Sequence, residues 1–297
     1  QRTNPALQIR DYLTDTVYGL GCESSEINDT TNAGGFAAAA NTCDQQVTLA
    51  DGSTQERRYK SSGFSTFAAS GEDVITGIQS AMGGRLTYTN GVFNLFAGAA
   101  QTPALTITDE DLLAAVNVDT GSGGARGDLY NQVKAVFVDS DNDFKAGETA
   151  VITDNTMLSQ DTPSGASSAN FRKTLELQLP FTTSETMAQR LAKIQLRYQR
   201  KTMMISVQVP IKFIRLQPAD FVYVTNERLG FSQKLFEVQD VVMSLDEAQE
   251  GAFFASCSLS LREIAADVWD FATNEYSTAI SQGSVVNTGS SCRGRTK

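Results

Sequence analysis

Histidine is missing altogether from the 297 residues. That removes the commonest general base near neutral pH and the commonest zinc ligand. Ser65 and Ser70 therefore have no imidazole to activate them, and a serine triad of the usual kind is excluded. Cysteine is scarce. Cys22, Cys43, Cys257 and Cys292 are the four present, and no two form a CxxC pair of the kind that zinc and redox sites use. No run of about 18 apolar residues occurs, so no segment reads as a transmembrane helix. Basic residues are outnumbered, 24 against 34 acidic ones, for a net charge of -10. Such a surface is a poor match for a nucleic-acid backbone, which calls for clustered Lys and Arg. It still suits a channel through which nucleic acid passes without sticking. The start, QRTNPALQIR, has neither an initiator Met nor the apolar stretch of a signal peptide, and the end, SSCRGRTK, is as abrupt. The chain reads as an internal section of something longer.

What is present describes a folded protein. Hydrophobic residues make up 41% and charged residues 20%, enough for one large domain or two smaller ones. Residues 4–15 open as a helix, with Asn4 as cap, Pro5 in the first turn, and Ala6, Ile9 and Leu13 on one face. Residues 22–57 are polar and read as an inserted excursion, bracketed in its first half by Cys22 and Cys43. These are either a disulfide or two unpaired thiols. Residues 70–84 form a second helix, with Ser70 and Asp73 in capping-box spacing. Asn90-Gly91 is a favoured hairpin turn between strands carrying Leu86 and Tyr88, then Phe93 and Leu95. Thr108 is expected to cap a short helix with Leu112 and Leu113. The Gly-rich stretch 117–128 places a domain boundary.

The second half is dominated by strands. Val133, Ala135 and Phe137 alternate, as do Leu175, Leu177 and Leu179. The longest run is Met203 through Phe213, and Phe253 through Leu261 repeats it with Cys257 as a small buried hydrophobe. One helix interrupts them. Thr182 and Glu185 have capping-box spacing, Met187, Leu191, Ile194 and Tyr198 share a face, and the rest is basic. Arg190, Arg197 and Arg200 are the candidate interface residues, because their charge opposes that of the chain and Arg pairs with carboxylates in a fork. The expected fold class is α+β and β-rich: a barrel-like domain with its helix over 121–268, a smaller α+β accessory domain over 1–120, and a linker or arm over 269–297.

Motifs for chemistry fall short. Asp139, Asp141 and Asp143 alternate like the opening of a calcium loop, but Phe144 stands where an EF-hand needs Gly, and Glu148 comes too early. A polar hairpin explains them better. Arg126-Gly127-Asp128 spells an adhesion tripeptide at near-chance odds. The glycines at 121, 123 and 124 lack the Lys-Ser or Lys-Thr of a phosphate loop. Glu72/Asp73 and Asp109/Glu110/Asp111 sit where helix N-termini favour acids. No catalytic, cofactor or metal residue is assigned.

A family likeness rests on six ordered segments: NPALQIRDYLTDTVYGLG (4–21), RYKSSGFSTF (58–67), GEDVITGIQSAMGGRLTYTNGVFNLFAGA (71–99), RGDLYNQVKAVFVDSDNDFKAGE (126–148), LPFTTSETMAQRLAKIQLRYQRK (179–201), and LQPADFVYVTNERLGFSQKLFEV through LSLREI (216–264). The chain resembles the central tail-hub or tail-tip attachment proteins of long-tailed phages, typified by the lambda tip protein. It departs from them in having Ala219, where Gly is usual, before Asp220, and in a longer 22–57 region. The resemblance implies a non-enzymatic structural protein of the virion tail tip. It implies a homotrimeric hub, or baseplate-hub ring, that continues and closes the tail tube. That ring would contact tail-tube and distal tail proteins, cap the tape-measure protein, and open for genome ejection, with the genome passing through its lumen. Host attachment through a receptor would lie in other domains. Two readings from other classes are a stand-alone receptor- or glycan-binding adhesin and a tail-associated envelope hydrolase.

Overall fold

Residues 3–49, 51–66, 68–119, 129–140, 142–247 and 253–269 are described by a computed structural model. The Gly-rich stretch from 120, the 126–128 tripeptide, Asp141, Cys292 and the chain beyond Trp269 lie outside them.

Helix α1 (Pro5–Thr14) forms where the sequence places it. The Asn4 side chain accepts from the Ala6 and Leu7 N–H groups, and Ala6, Ile9 and Leu13 are buried. Against it lies α2 (Phe36–Asp44), followed by the small ladder β1 (Gln46–Thr48) and β2 (Gln55–Arg57). The 22–57 segment is thus no mere excursion. Phe36, Ala39, Ala40 and Cys43, at helical spacing, close the core over α1. Next comes α3 (Gly71–Ser80), with its reciprocal Ser70–Asp73 capping box. Strands β3 (Arg85–Thr89) and β4 (Val92–Phe96) follow. Asn90 and Gly91 take φ of 54° and 81°, the left-handed pair of a two-residue hairpin turn.

Strands β5 (Leu105–Ile107) and β6 (Asn117–Asp119) flank a single 3-10 turn, Asp109–Asp111. The helix expected to carry Leu112 and Leu113 is not formed. Asp109 accepts from the Asn226 side chain and the Glu227 N–H, and Asp111 pairs with Lys212, so tertiary contacts hold this turn. A βα layer comes next: β7 (Gln132–Asp139), β8 (Lys145–Glu148), β9 (Ile152–Thr153), α4 (Asn155–Asp161), β10 (Thr174–Leu179) and α5 (Glu185–Arg200). β10 pairs parallel to β7, setting Leu175, Leu177 and Leu179 beside Val133, Ala135 and Phe137, and α5 returns across β7. The cap of α5 is Ser184, whose Oγ accepts from the Met187 N–H, rather than Thr182. Thr182 is buried and still tied to the strands, donating its N–H to Leu179 O and accepting from Val138 N–H.

The last elements are β11 (Met204–Pro210), β12 (Phe221–Asn226), β13 (Phe231–Glu247) and β14 (Phe253–Glu263). β11 is shorter than the alternation to Phe213 suggests. Pro210 ends it, lacking an N–H for the ladder, and Ile211–Arg215 is a 3-10 turn that still buries Phe213. The sheet runs β5-β12-β13-β14-β11-β6. Its two outermost strands precede residue 120, so the expected boundary there does not part the sheet. Val207, Val209, Val222, Val224, Phe236, Val238, Cys257, Leu259 and Leu261 line its own core. The first core also joins residues from both sides of 120, among them Ile9, Phe36, Ala135 and Leu191. The α+β class holds. The closed barrel does not appear among the described residues, because β5 and β6 end the ladder without pairing to each other.

Candidate functional site

The three arginines picked out as an interface separate in the structure. Arg190 is a correction: its side chain is 0% exposed. Its guanidinium donates to the Glu56 carboxylate and, at 2.6 Å, to Arg58 O. Glu56 also accepts from Thr186 Oγ1 at 3.0 Å. The pair therefore fastens the β1–β2 ladder to α5 from within.

Arg197 and Arg200 do come together, one turn apart at the C-terminal end of α5. With Lys201, Leu129, Met157 and Asp267 they line an open cleft of ≈ 540 Å³. Arg200 forks onto Asp161, with contacts of 3.0 Å to both carboxylate oxygens. Arg197 donates to Asp267 O at 3.2 Å.

The β7–β8 turn occupies the other end of the same layer. Asp139 pairs with Lys145, as the polar-hairpin reading expects. Asp143 and Phe144 both take left-handed backbone, and Phe144 is 68% exposed. Among the described residues no group of three or more His, Cys, Asp or Glu is placed to hold a metal.

The most conspicuous surface is the ribbon of β13 and β14. A β-bulge between Val238 and Asp240 shifts the alternation by one residue. Phe236 and Val238 face the core before it, and Val241, Met243 and Leu245 continue that face after it. β12 leaves β13 at Glu237, and β11 leaves β14 at Ser256. Past Glu237 the edge of β13 is uncovered, and past Ser256 only residues 245–247 and 253–255 run on as two strands, with no third strand beside them among the described residues. Val242, Met243 and Leu245 are 52%, 59% and 62% exposed, and Phe254 is 44% exposed. Met243 and Leu245 share one face of the ribbon, and Val242 and Phe254 lie on the other. Exposed large apolar side chains paired in this way mark a surface that a partner can cover.

A second cleft, ≈ 390 Å³, lies between α3, α5 and β12. Among its lining residues, Glu237 ties Tyr198 and Arg85 together. Glu237 accepts from Tyr198 Oη at 2.8 Å and from Arg85 at 3.0 Å, while Arg262 stacks over the Tyr198 ring at 4.2 Å. Burial, and then the Glu237 charge, raises the Tyr198 hydroxyl above its ordinary range. Cys22 and Cys43 are free thiols rather than a bridge. Cys43 is closed into the core, and burial pushes its thiol up to about 12.

Residues 70–242, more than half of the chain, match the family described as "Putative phage tail protein". The chain belongs to this family. No curated protein matches it. Among solved structures, this phage tail protein is similar to a chain of the virion of a native gene transfer agent particle, at 17% identity and TM-score 0.48, covering 68% of this chain and 40% of that one. It is also similar to the 43 kDa tail protein of prophage MuSo2 from Shewanella oneidensis, at 14% identity and TM-score 0.39, covering 74% and 56%. The tail protein thus spans 40% and 56% of the lengths of these two chains.

Its departure at Ala219 has a structural cost. Ala219 is buried at φ 76°, where L-residues are disfavoured and Gly is not. The turn is held by the Ala219 N–H on Val238 O and by the Gln217 N–H on the Asp220 carboxylate. Ala219→Gly should leave stability unchanged or slightly raised, since relief of about 1–2 kcal/mol offsets added chain entropy of about 0.5–1 kcal/mol and one lost methyl. Ala219→Val should lower it by at least about 2 kcal/mol, because a β-branched residue fits this region worst. Denaturant titration of both variants is the check. Equal stability of the Val and Ala forms would contradict the turn assignment.

Proposed function

We propose that this tail protein is a non-catalytic structural part of the virion tail tip. Three copies form a hub that continues and closes the tail tube and links it to distal, host-contacting parts. One observation carries the reading: past Glu237, where β12 ends, β13 is an uncovered sheet edge that leaves Met243 and Leu245 exposed on one face. In a ring, that face lies against the next subunit and the open sheet is continued there, giving the barrel-like wall that a single chain lacks. Family membership supports a place in the tail. The net charge of -10 suits a lumen that passes nucleic acid without holding it. On this reading the ring meets tail-tube proteins and the end of the tape-measure protein, and opens when the genome leaves. Receptor contact belongs to other parts of the tip. The test is the mass and symmetry of the native assembly.

A further inference from the structure

We propose that the loop following α1 docks a basic segment of another tail protein. Val17, Tyr18 and Leu20 are its apolar anchors, and the carboxylates of Asp11, Asp15, Glu72 and Asp73 surround them. This goes beyond the hub reading and needs only a place in the tail, which family membership gives.

Val17, Tyr18 and Leu20 are 88%, 49% and 51% exposed. The loop that carries them is pinned to the end of α1. Leu20 N–H donates to Tyr12 O at 2.9 Å, Gly21 N–H to Asp15 O at 3.0 Å, and Cys22 N–H to Leu13 O at 2.8 Å. Gly19 packs so closely that a Cβ there would lie 2.1 Å from Tyr12 O. The backbone thus folds back onto the helix and leaves these apolar side chains facing water. Neighbouring exposed apolar residues mark a contact surface, and a loop already fixed costs less to order on binding.

Charge identifies the partner. Residues 11–56 and 61–84 hold ten acidic residues and no Lys or Arg, while the rest of the chain has 24 of each sign. The whole net charge of -10 therefore comes from these two stretches. Asp29, Asp44 and Glu56 pair with Arg10, Arg57 and Arg190. Asp11, Asp15, Glu72 and Asp73 make no ion pair among the described residues. All four border the loop. Tyr18 Oη donates to Asp11 at 2.6 Å, and Asp15 accepts from the Val17 and Tyr18 N–H groups at 2.7 and 2.9 Å. The Tyr18 and Val17 N–H groups hold the Asp15 carboxyl below the usual carboxylate range. A Cβ at Gly71 would lie 3.1 Å from Leu20 Cδ2, so Glu72 and Asp73, next in the first turn of α3, stand beside the loop. Such a rim repels nucleic acid, anionic lipid and the same stretch of a second copy. It fits apolar side chains flanked by Lys or Arg.

The experiment is photo-crosslinking in intact tail particles, with Val17 replaced by p-benzoylphenylalanine in the full chain. At 88% exposure the fold does not depend on this side chain. The expected product joins residue 17 to another tail protein, within a segment where Lys and Arg outnumber Asp and Glu. Adding Asp11→Asn and Glu72→Gln should cut the yield of that product by about threefold or more, because two of the carboxylates that meet the segment are then neutral. Both residues are exposed, so thermal unfolding of the isolated variant should stay near that of wild type. A residue 17 that captures nothing in intact tails overturns the proposal. So does capture of an acidic segment or of a second copy of this chain, and so does a yield that the charge change leaves unmoved. The native mass tests the ring reading separately, so the failure of one leaves the other standing.

Discussion

Arg190→Met is expected to destabilise the protein by about 3–5 kcal/mol, the cost of breaking a buried ion pair from one side. The substitution nearly conserves volume, so packing loss is small. What it strands is Glu56, whose side chain is 11% exposed and whose main charge partner is that guanidinium, together with the Arg58 carbonyl. Adding Glu56→Gln should recover much of the loss, since an amide buried beside Thr186 and Ser184 carries no charge to desolvate. Urea unfolding of wild type, both single variants and the double variant checks this. A cost below about 1 kcal/mol for Arg190→Met would mean that the 46–57 ladder is not fastened to α5 through this pair. Charge reversal at this position would report on folding, and a loss of assembly there would say nothing about a subunit interface.

Met243→Asp together with Leu245→Asp should abolish assembly and leave the subunit's own stability within about 0.5 kcal/mol of wild type. Both side chains are more than half exposed in the single chain, so the fold does not depend on burying them. Full burial of a Leu or Met against a neighbour stabilises by about 1.5–3 kcal/mol. Two such residues amount to roughly 3–6 kcal/mol, or about two to four decades in the association constant. A buried carboxylate in place of either adds its own desolvation penalty. Light scattering and thermal unfolding on the same preparation separate the two effects. A variant that assembles normally would place the ribbon away from subunit contacts.

Local signals carried much of the fold. Asn4-Pro5, the Ser70–Asp73 box and Asn90-Gly91 each act within a few residues, and each forms as its chemistry dictates. Alternation in 133–137, 175–179 and 257–261 found strands whose inner residues are buried or half-buried. What was hidden depended on distance or on a shift of one residue. Helix α2 was masked by alanines between its apolar positions, although Phe36, Ala39, Ala40 and Cys43 have helical spacing. The partner of Arg190 lies 134 positions away, and nothing local distinguishes that arginine from Arg197. Pro210 cut short a pattern that otherwise continues to Phe213. The ribbon was obscured by its bulge, because the apolar face passes from Val238 to Val241 and the period of two breaks between them.

The most direct test is the native mass of the full chain by light scattering, followed by imaging of the particle and its symmetry. The account predicts a threefold ring in which the ribbon of each subunit lies against its neighbour. A clean monomer with the ribbon in solvent would contradict it and move an isolated adhesin ahead of the hub.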